Sequence, residues 1–257
     1  MDTLNVTNPF NAPVYYLESV SSTMDVSRQL LSAGKPHGTV ITAGFQQNGR
    51  GRMDRQWEME KEKGLAFTVL LKYPSVKTIP SALTLRCGLA VSIAIEKFAP
   101  VLQGSVMVKW PNDIMINNKK AAGILCEAVS TNVFVGIGVN VCQHDFPPVL
   151  QNKTTSIALA ANTHTNPDQR FSLLEKILAE LFIELETKNS NWKYRLEQRL
   201  YQKNQQVVFI EGAAGCGNTV KGTLVGVAEG GELLIIPDGE SITRSFIAGE
   251  LVLQSVT

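Results

Sequence analysis

Cysteine and histidine are scarce in this sequence and widely scattered. Its four cysteines form no C-x-x-C pair, and only three histidines accompany them. So few and scattered residues suggest neither the disulfide framework of a small secreted domain nor a structural zinc site. Cys142 and His144 stand too much alone to complete a zinc shell. Reduced, buried thiols of a cytoplasmic protein are the better interpretation.

An excess of charge and a long apolar run are also lacking. The 257 residues carry 24 Lys and Arg against 23 Asp and Glu, a formal net charge of +1. No overall field therefore attracts DNA or an anionic membrane. Apolar runs such as residues 88–95 fall short of the roughly 18 residues of a membrane span, and the N-terminus lacks the features of a secretory signal. We expect neither DNA nor a membrane as a partner.

The apolar patterns predict an α+β fold. Residues 38–45 and 64–73 are rich in β-branched and large apolar side chains, which indicates strands. Helical patterns cover residues 23–33 and 80–98, and the second is apolar enough to be mostly buried. Residues 106–141 are predicted to form successive strands separated by short turns. Short turns imply that these neighbouring strands are antiparallel.

The sequence pattern changes from helical to short β runs near residue 205. Before that point, a long amphipathic helix is predicted to begin after Asn166-Pro167, with a shorter helix around 191–200. The predicted core stripe of the long helix is Phe171, Leu174, Leu178, Leu181 and Leu185. Short β runs with glycine-rich turns follow. The sequence therefore predicts a main domain over residues 1–203 and a small β barrel over 204–257.

Two glycine-rich segments look like nucleotide motifs and are set aside. Residues 212–219 have P-loop glycine spacing, but Asn218 stands where the phosphate-binding lysine would be, and no helix follows. Residues 136–141 begin like a dinucleotide fingerprint but have Val141 at the third glycine position. We interpret the first segment as a hairpin loop and the second as a buried strand.

A cluster of cations in the segment "GRGRMDRQW" is more informative. Three of the nine arginines lie within six positions, at Arg50, Arg52 and Arg55, with Gly49 and Gly51 on either side of the first. Glycines let the backbone approach a ligand closely, and guanidinium groups at alternate positions can enclose carboxylate or phosphate oxygens. The alternative is an ordinary solvated turn between two strands.

Polar residues also interrupt predicted strands whose other residues are apolar, as in a buried core. In "VMVKWPNDIMI", Lys109, Asn112 and Asp113 are predicted to lie at a strand end and the following turn. Burying a lysine without a partner of opposite charge costs folding free energy, so its occurrence here by chance is improbable. The alternative is a structural clamp in which Lys109 pairs with Asp113. Lys120 and Asn140 interrupt two further apolar runs.

Together these motifs resemble those of the biotin protein ligases. "SSTMDV", "GRGRMDRQW", "KWPNDI", "KKAAGILCE" and "VGIGVN" occur in this order between residues 21 and 140. The resemblance implies a catalytic domain like that of lipoate ligases and class II aminoacyl-tRNA synthetases, with a mixed, largely antiparallel sheet, and an SH3-like C-terminal barrel. It also implies a two-step reaction. Biotin and ATP give biotinyl-5'-AMP, and the acyl group then passes to a lysine of a biotin carboxyl carrier domain.

The resemblance also implies roles for individual residues. The expected catalytic residues are Arg52, Lys109 and Lys120. The expected biotin-binding residues are Ser22, Thr23, Gln46, Arg50, Gly51, Arg52, Lys120 and Gly123. The expected ATP-binding residues are Arg52, Arg55, Trp57, Lys109, Asn112, Asp113 and Asn140. Mg²⁺ is expected to arrive with the nucleotide, and no protein ligand is assigned to it.

Departures and alternatives complete the prediction. Met24 replaces an asparagine found in some family members, and Asp54 lies among the arginines; weak effects are expected from both. The first motif begins at Ser21, which is expected to leave no room for the DNA-binding domain of some relatives. The resemblance also suggests a homodimer through the main sheet. The alternative functions are a lipoate ligase on the same fold and a non-catalytic module that binds nucleic acid or protein.

Overall fold

The computed structural model of the protein describes residues 1–53, 55–187, 191–212 and 217–252. The expectation for Asp54, and the part of the glycine-rich 212–219 segment that contains Cys216, lie outside these residues.

The main domain is built on a mixed eight-stranded sheet. Its strands are β1 (Asp2–Thr3), β2 (Val14–Leu17), β3 (Thr39–Ala43), β4 (Gly64–Lys72), β5 (Val106–Lys109), β6 (Asp113–Ile116), β7 (Lys119–Val129) and β8 (Asn132–Asn140). They lie in the order β1-β2-β3-β4-β8-β7-β6-β5, and within this order only β2 and β3 pair in parallel. The predicted largely antiparallel sheet is confirmed. Strands β1 and β2 were not predicted.

Five helices accompany this sheet in the described part of the chain. They are α1 (Thr23–Ser32), α2 (Leu83–Phe98), α3 (Ile157–Ala161), α4 (Gln169–Glu186) and α5 (Trp192–Glu197). Helix α1 begins where predicted because the Ser22 side chain accepts a hydrogen bond from the Met24 backbone amide. It ends before Gly34, whose φ of 75° suits glycine. Helix α3 was not predicted.

Two details of helix α4 differ from the prediction. The helix begins at Gln169, with Asp168 rather than Asn166 at the N-cap, because the Asn166 side chain accepts from the Asp168 amide and forms a turn before the helix. Phe171 is only half-buried and packs edge-on against Tyr16. The four predicted leucines are buried together with Leu173 and Ile177.

Helix α2 lies between the sheet and helix α4 and forms much of the core. Its Cys87, Leu89, Val91 and Ile95 are fully buried. The stretch Val76–Phe98 is long and apolar enough to cross a membrane by length and composition, and half of it is buried inside the protein, as in a core helix. This burial comes from packing against α4 and the strands β5 and β7.

A separate five-stranded antiparallel sheet forms the C-terminal part of the chain. Its strands are β9 (Gln206–Glu211), β10 (Thr219–Val227), β11 (Leu233–Pro237), β12 (Arg244–Phe246) and β13 (Gly249–Leu251), in the order β12-β11-β10-β9-β13. The Trp110 indole joins the two sheets, since it donates to the Gly231 carbonyl at 2.9 Å and packs on Phe209. The change to short strands near residue 205 is confirmed. The SH3-like barrel and the boundary at residue 203 remain predictions.

Candidate active site

A cavity of about 880 Å³ opens on the main sheet. Its floor is formed by strands β4, β7 and β8, and its walls by the start of α1, the arginine loop, the turn after β5 and the edge of the second sheet. All fourteen residues predicted for the site line this cavity, namely Ser22, Thr23, Gln46, Arg50, Gly51, Arg52, Arg55, Trp57, Lys109, Asn112, Asp113, Lys120, Gly123 and Asn140. The structure therefore brings them together, while their individual roles remain predictions.

One end of the cavity is a hydrogen-bonding cluster of two buried threonines and the half-buried Gln46. The Thr23 backbone amide and hydroxyl donate to Gln46 Oε1 at 2.9 and 3.0 Å. The same hydroxyl lies 2.9 Å from the Thr68 hydroxyl. Gln46 reaches this point because Val20 and Gln46 form a parallel β-bridge just before α1. Thr68 was not predicted, although it is the one polar side chain in the apolar core of β4 and could have been noticed for that reason.

Lys109 is a buried cation at the end of β5, with only 4% of its surface exposed. Burial lowers the pKa of its ammonium group, and the carboxylates of Asp113 and Glu250 act in the opposite direction. The clamp considered as an alternative is not formed, because Asp113 Oδ1 makes its ion pair with Lys120 Nζ at 2.6 Å. The geometry of this contact is that of an ion pair and not of a hydrogen bond, since Asp113 Oδ1 accepts no hydrogen bond from the described residues. Lys109 therefore remains available to an anion in the cavity.

The Trp57 indole packs against the floor of the cavity, next to Gly138 and Gly123. A side chain on Gly138 would begin 2.3 Å from the ring, and one on Gly123 would begin 3.2 Å from it, so glycine at both positions makes room for the indole. The Lys120 ammonium lies 5.7 Å from the ring centroid. The indole Nε1 is buried and donates no hydrogen bond within the described residues. Trp57 thus lies beside Lys120, on the glycine floor.

The three loop arginines have different surroundings. Arg52 is half-buried, and its Nη1 donates to Asn112 Oδ1 at 3.3 Å, across the cavity from the loop to the turn after β5. Burial lowers the pKa of the Arg52 guanidinium. Arg50 forms an ion pair with Asp25 on α1 at the mouth of the cavity. Arg50 is therefore held at the mouth, whereas Arg52 reaches the turn that follows Lys109.

The third arginine binds a carboxylate that was not predicted. Arg55 donates through both terminal nitrogens to the two carboxylate oxygens of Glu250, at 3.0 and 2.5 Å. Glu250 belongs to β13 of the second sheet, and this hydrogen bond lowers the pKa of its carboxyl group. An acid in the apolar run "GELVL" is the only sequence signal for this contact, and it names no partner.

The segment 142–156 forms a further wall that was not predicted. Phe146, Val149 and Leu150 line the cavity from this segment. It is fastened to the sheet through the Lys120 backbone, which donates to the Lys153 carbonyl and accepts from the Thr155 amide. The Asn140 side chain donates to the Thr155 carbonyl at 3.0 Å. In this structure Asn140 therefore anchors the wall.

The cavity provides no obvious protein cage for a metal ion. Among the described residues, no three His, Cys, Asp or Glu side chains are grouped closely enough to hold one. The carboxylates that line the cavity near the cations, Asp113 and Glu250, are each engaged in an ion pair.

Comparisons with known proteins agree with this geometry. Residues 16–142 match the model of the Biotin/lipoate A/B protein ligase family. The chain is 38% identical over 155 residues to the bifunctional ligase/repressor BirA of Bacillus subtilis, covering 57% of this chain and 46% of that protein. It is 29% identical over 177 residues to the biotin-[acetyl-CoA-carboxylase] ligase of Mycobacterium tuberculosis, covering 67% of this chain and 62% of that one. The match thus spans about half the length of the bacillus relative.

A solved structure extends the similarity to nearly the whole chain. The biotin protein ligase of Aquifex aeolicus, in complex with biotin and ATP, superimposes with a TM-score of 0.76 at 26% identity, over 94% of this chain and 98% of that one. The mixed sheet with its cavity, followed by a separate antiparallel sheet, is the catalytic fold of the biotin protein ligases. Residues 16–142 thus correspond to a biotin/lipoate protein ligase domain, and nearly the whole chain shares the fold of the Aquifex protein.

Proposed function

We propose that this protein uses ATP to convert biotin into biotinyl-5'-AMP and transfers the acyl group to a lysine of a biotin carboxyl carrier domain. The observation that carries the proposal is the convergence of Arg52, Lys109 and Lys120 on one cavity whose far end is a buried polar cluster. Related proteins are named as biotin ligases, and one is solved with biotin and ATP. We place the reaction in the cytoplasm, without a DNA partner.

The cavity suits a bicyclic acid with a polar head. The side chains of Thr23, Gln46 and Thr68 offer donors and acceptors to a ureido ring, in a buried setting where such bonds are strong. The apolar floor between this cluster and Lys120 suits a ring and an aliphatic chain. The carboxylate at the end of that chain would then reach the cations.

The cations suit the first chemical step. A carboxylate oxygen attacks the α-phosphorus of ATP, the bond to the bridging oxygen breaks, and pyrophosphate leaves. Two anions must be held together, and the transition state carries additional charge on the phosphorus oxygens. Contacts within the protein hold Arg52 and Lys120, and burial confines Lys109, so little reorganisation is needed when that charge develops.

In the second step, the amine of the acceptor lysine attacks the carbonyl of the mixed anhydride. An amide forms, AMP leaves with the electron pair of the broken bond, and the attacking nitrogen loses a proton. The reactive anhydride must be kept from water until the acceptor arrives. The wall that contains Phe146, Val149 and Leu150 is placed to cover it.

Magnesium fits this site as a companion of the nucleotide. Mg²⁺ prefers oxygen ligands and keeps several waters, and it is usually held by substrate phosphates together with one or two carboxylates. Asp113 is the carboxylate best placed among the cations, and Asn112 is its neighbour. When bound, the ion would neutralise charge on the leaving pyrophosphate.

A direct test is to mix the purified protein with biotin, Mg-ATP and a carrier-domain fragment. We expect biotin-dependent pyrophosphate release, followed by biotin on one acceptor lysine, measured by mass spectrometry. A fragment with that lysine replaced by arginine should remain unlabelled. Lipoate in place of biotin is the matched control. Labelling with lipoate and not with biotin would contradict the proposal and favour the alternative ligase.

Glu250 provides a prediction about the nucleotide. Glu250→Lys puts a cation opposite Arg55 and close to Arg52 and Lys109, so like-charge repulsion displaces the Arg55 side chain. We expect the KM for ATP to rise by about 10-fold, as for the loss of one charge-assisted contact, with little change in the KM for biotin. Glu250→Gln keeps the shape of the side chain and can still accept a hydrogen bond from Arg55, so its KM for ATP should rise less. An equal rise in the two variants, or an equal rise in the KM values for ATP and biotin, would show that the charge of Glu250 does not position Arg55.

A further inference from the structure

Met24 closes the cavity beside its polar cluster. It is the second residue of α1, only 3% exposed, and its side chain lines the cavity. It packs with Leu70 and Phe134 in a small apolar cluster that Leu125 also touches. Thr23, the preceding residue, makes the hydrogen bonds to Gln46 and Thr68. Consecutive residues of one helix therefore form the polar and the apolar part of the same end wall.

The Met24 methyl group fills a space that a glycine leaves open. A Cβ on Gly136 would lie 2.7 Å from Met24 Cε, closer than two non-bonded carbon atoms can approach. The same Cβ position lies 3.8 Å from the Thr68 hydroxyl oxygen. The thioether end of Met24 thus borders the floor at Gly136, next to the hydrogen-bonding cluster. Glycine at position 136 and methionine at position 24 form a matched pair.

We propose that Met24 determines which biotin-like acids this protein accepts, by setting the volume of the compartment that receives the bicyclic ring. This inference rests on the proposed function. A polar cluster can orient a ureido group, but it does not limit the size of the ring attached to it. That limit comes from the apolar side chain at the same wall, and Met24 reaches the floor at Gly136. The motifs predict only a weak effect of this departure from asparagine, and the variants below test that prediction as well.

The physical basis is the cost of an unfilled or overfilled pocket. Removal of a few buried methylene groups from a substrate pocket changes kcat/KM by about 10-fold or more. Methionine has a flexible, polarisable side chain, and it fills irregular space without a polar requirement. Shortening it should weaken contact with the natural ring and admit a larger one.

The test compares biotin with two analogues that carry a propyl group on the bicyclic ring, one on a ureido nitrogen and one on a thiolane carbon. Pyrophosphate release is measured for wild type, Met24→Ala and Met24→Leu. For Met24→Ala we expect the kcat/KM for biotin to fall by about 10-fold, mainly through KM, and activity with at least one analogue to rise. Met24→Leu conserves volume and should keep the wild-type preference.

The matched control is Leu30→Ala. Leu30 is a buried residue of the same helix, but it packs on Tyr15 and Ile41 and does not line the cavity. Its truncation loosens α1 without enlarging the compartment, so the ratio of kcat/KM between biotin and either analogue should stay unchanged. If Met24→Ala fails to fold by circular dichroism, Met24→Val, which removes less volume, is measured in its place.

The outcomes separate this inference from the proposed function. Wild-type protein that activates biotin, with a wild-type analogue ratio in the truncated Met24 variant, overturns the inference and leaves the function intact. An equal change of ratio in Leu30→Ala overturns it too. Wild-type protein without biotin-dependent pyrophosphate release removes the proposed function, and the inference with it.

Discussion

Replacing Lys109 by methionine slows the formation of biotinyl-5'-AMP by about 100-fold or more, the usual effect of losing a preorganised group that stabilises transition-state charge. The ammonium group is buried at the end of β5, where solvent does not screen it. The effect should appear in kcat, because the added charge exists only in the transition state. Biotin-dependent pyrophosphate release in single turnovers measures it, with exposed Lys221→Met as the control.

A stability measurement separates this catalytic role from a structural one. A buried ammonium that forms no ion pair among the described residues costs folding free energy, and methionine of similar size does not. We therefore expect the Tm of Lys109→Met to equal or exceed that of wild type. A large fall in Tm together with the loss of activity would indicate that Lys109 holds the turn rather than the reacting anions.

The pH dependence provides an independent reading of the same group. The lysine must be protonated to stabilise an anion, so kcat/KM for ATP, which reports the protein before ATP binds, is high below the pKa of the lysine and falls as the pH rises through it. Because burial lowers that pKa, the loss should begin below the ordinary lysine value of 10.5. Between the lowered pKa of the folded protein and the ordinary value, Lys109 is neutral when folded and charged when unfolded. The free energy of unfolding should therefore rise with pH over this interval. The residual activity of Lys109→Met should lack this decline.

Replacing Arg52 by alanine is expected to slow adenylate formation by a similar factor, about 100-fold or more. Arg52 extends from the loop across the cavity to Asn112, whose amide donates in turn to the Ile124 carbonyl. The guanidinium is therefore held over the sheet rather than free in solvent. Its planar group can bind a carboxylate and a phosphate oxygen at once, which an ammonium cannot do with the same geometry.

The measurement separates this step from acyl transfer. Presynthesised biotinyl-5'-AMP is supplied to Arg52→Ala, and transfer to the carrier-domain fragment is followed. We expect a much smaller defect here than in adenylate formation, because the phosphorus centre no longer reacts. Arg52→Lys should restore only part of the rate. Arg244→Ala, at an exposed arginine of the second sheet, is the control, and near-normal adenylate formation in Arg52→Ala would refute the role.

Much of the fold follows from local patterns. The strands between residues 106 and 140 are separated by turn residues such as Asn117 and Asn118, whose positive φ values asparagine tolerates. Ser22 caps α1, and Gly34 follows its end. The short strands β1 and β2 and the helix α3 carry too few residues for a periodic signal, and they form because the rest of the sheet and core is present to pair with them.

The sequence also predicted one part of the site, its residues, but not their contacts. The motifs identified the residues, because an arginine run and a lysine in an apolar strand are unusual wherever the chain places them. The ion pairs between these side chains could not be predicted from the sequence. Asp113 could have paired with Lys109, its neighbour in the hairpin, yet it pairs with Lys120. That choice depends on side-chain directions on adjacent strands, which sequence spacing does not determine.

The chain itself determined the chemistry of this protein: which cations, amides and hydroxyls are available, and the local turns and caps that expose them. Tertiary structure alone decided that Glu250 meets Arg55, that Trp57 lies on Gly138, and that Met24 fills the space above Gly136. The physical reason is that local structure depends on residues a few positions apart, whereas these contacts join separate elements and depend on how the whole core packs.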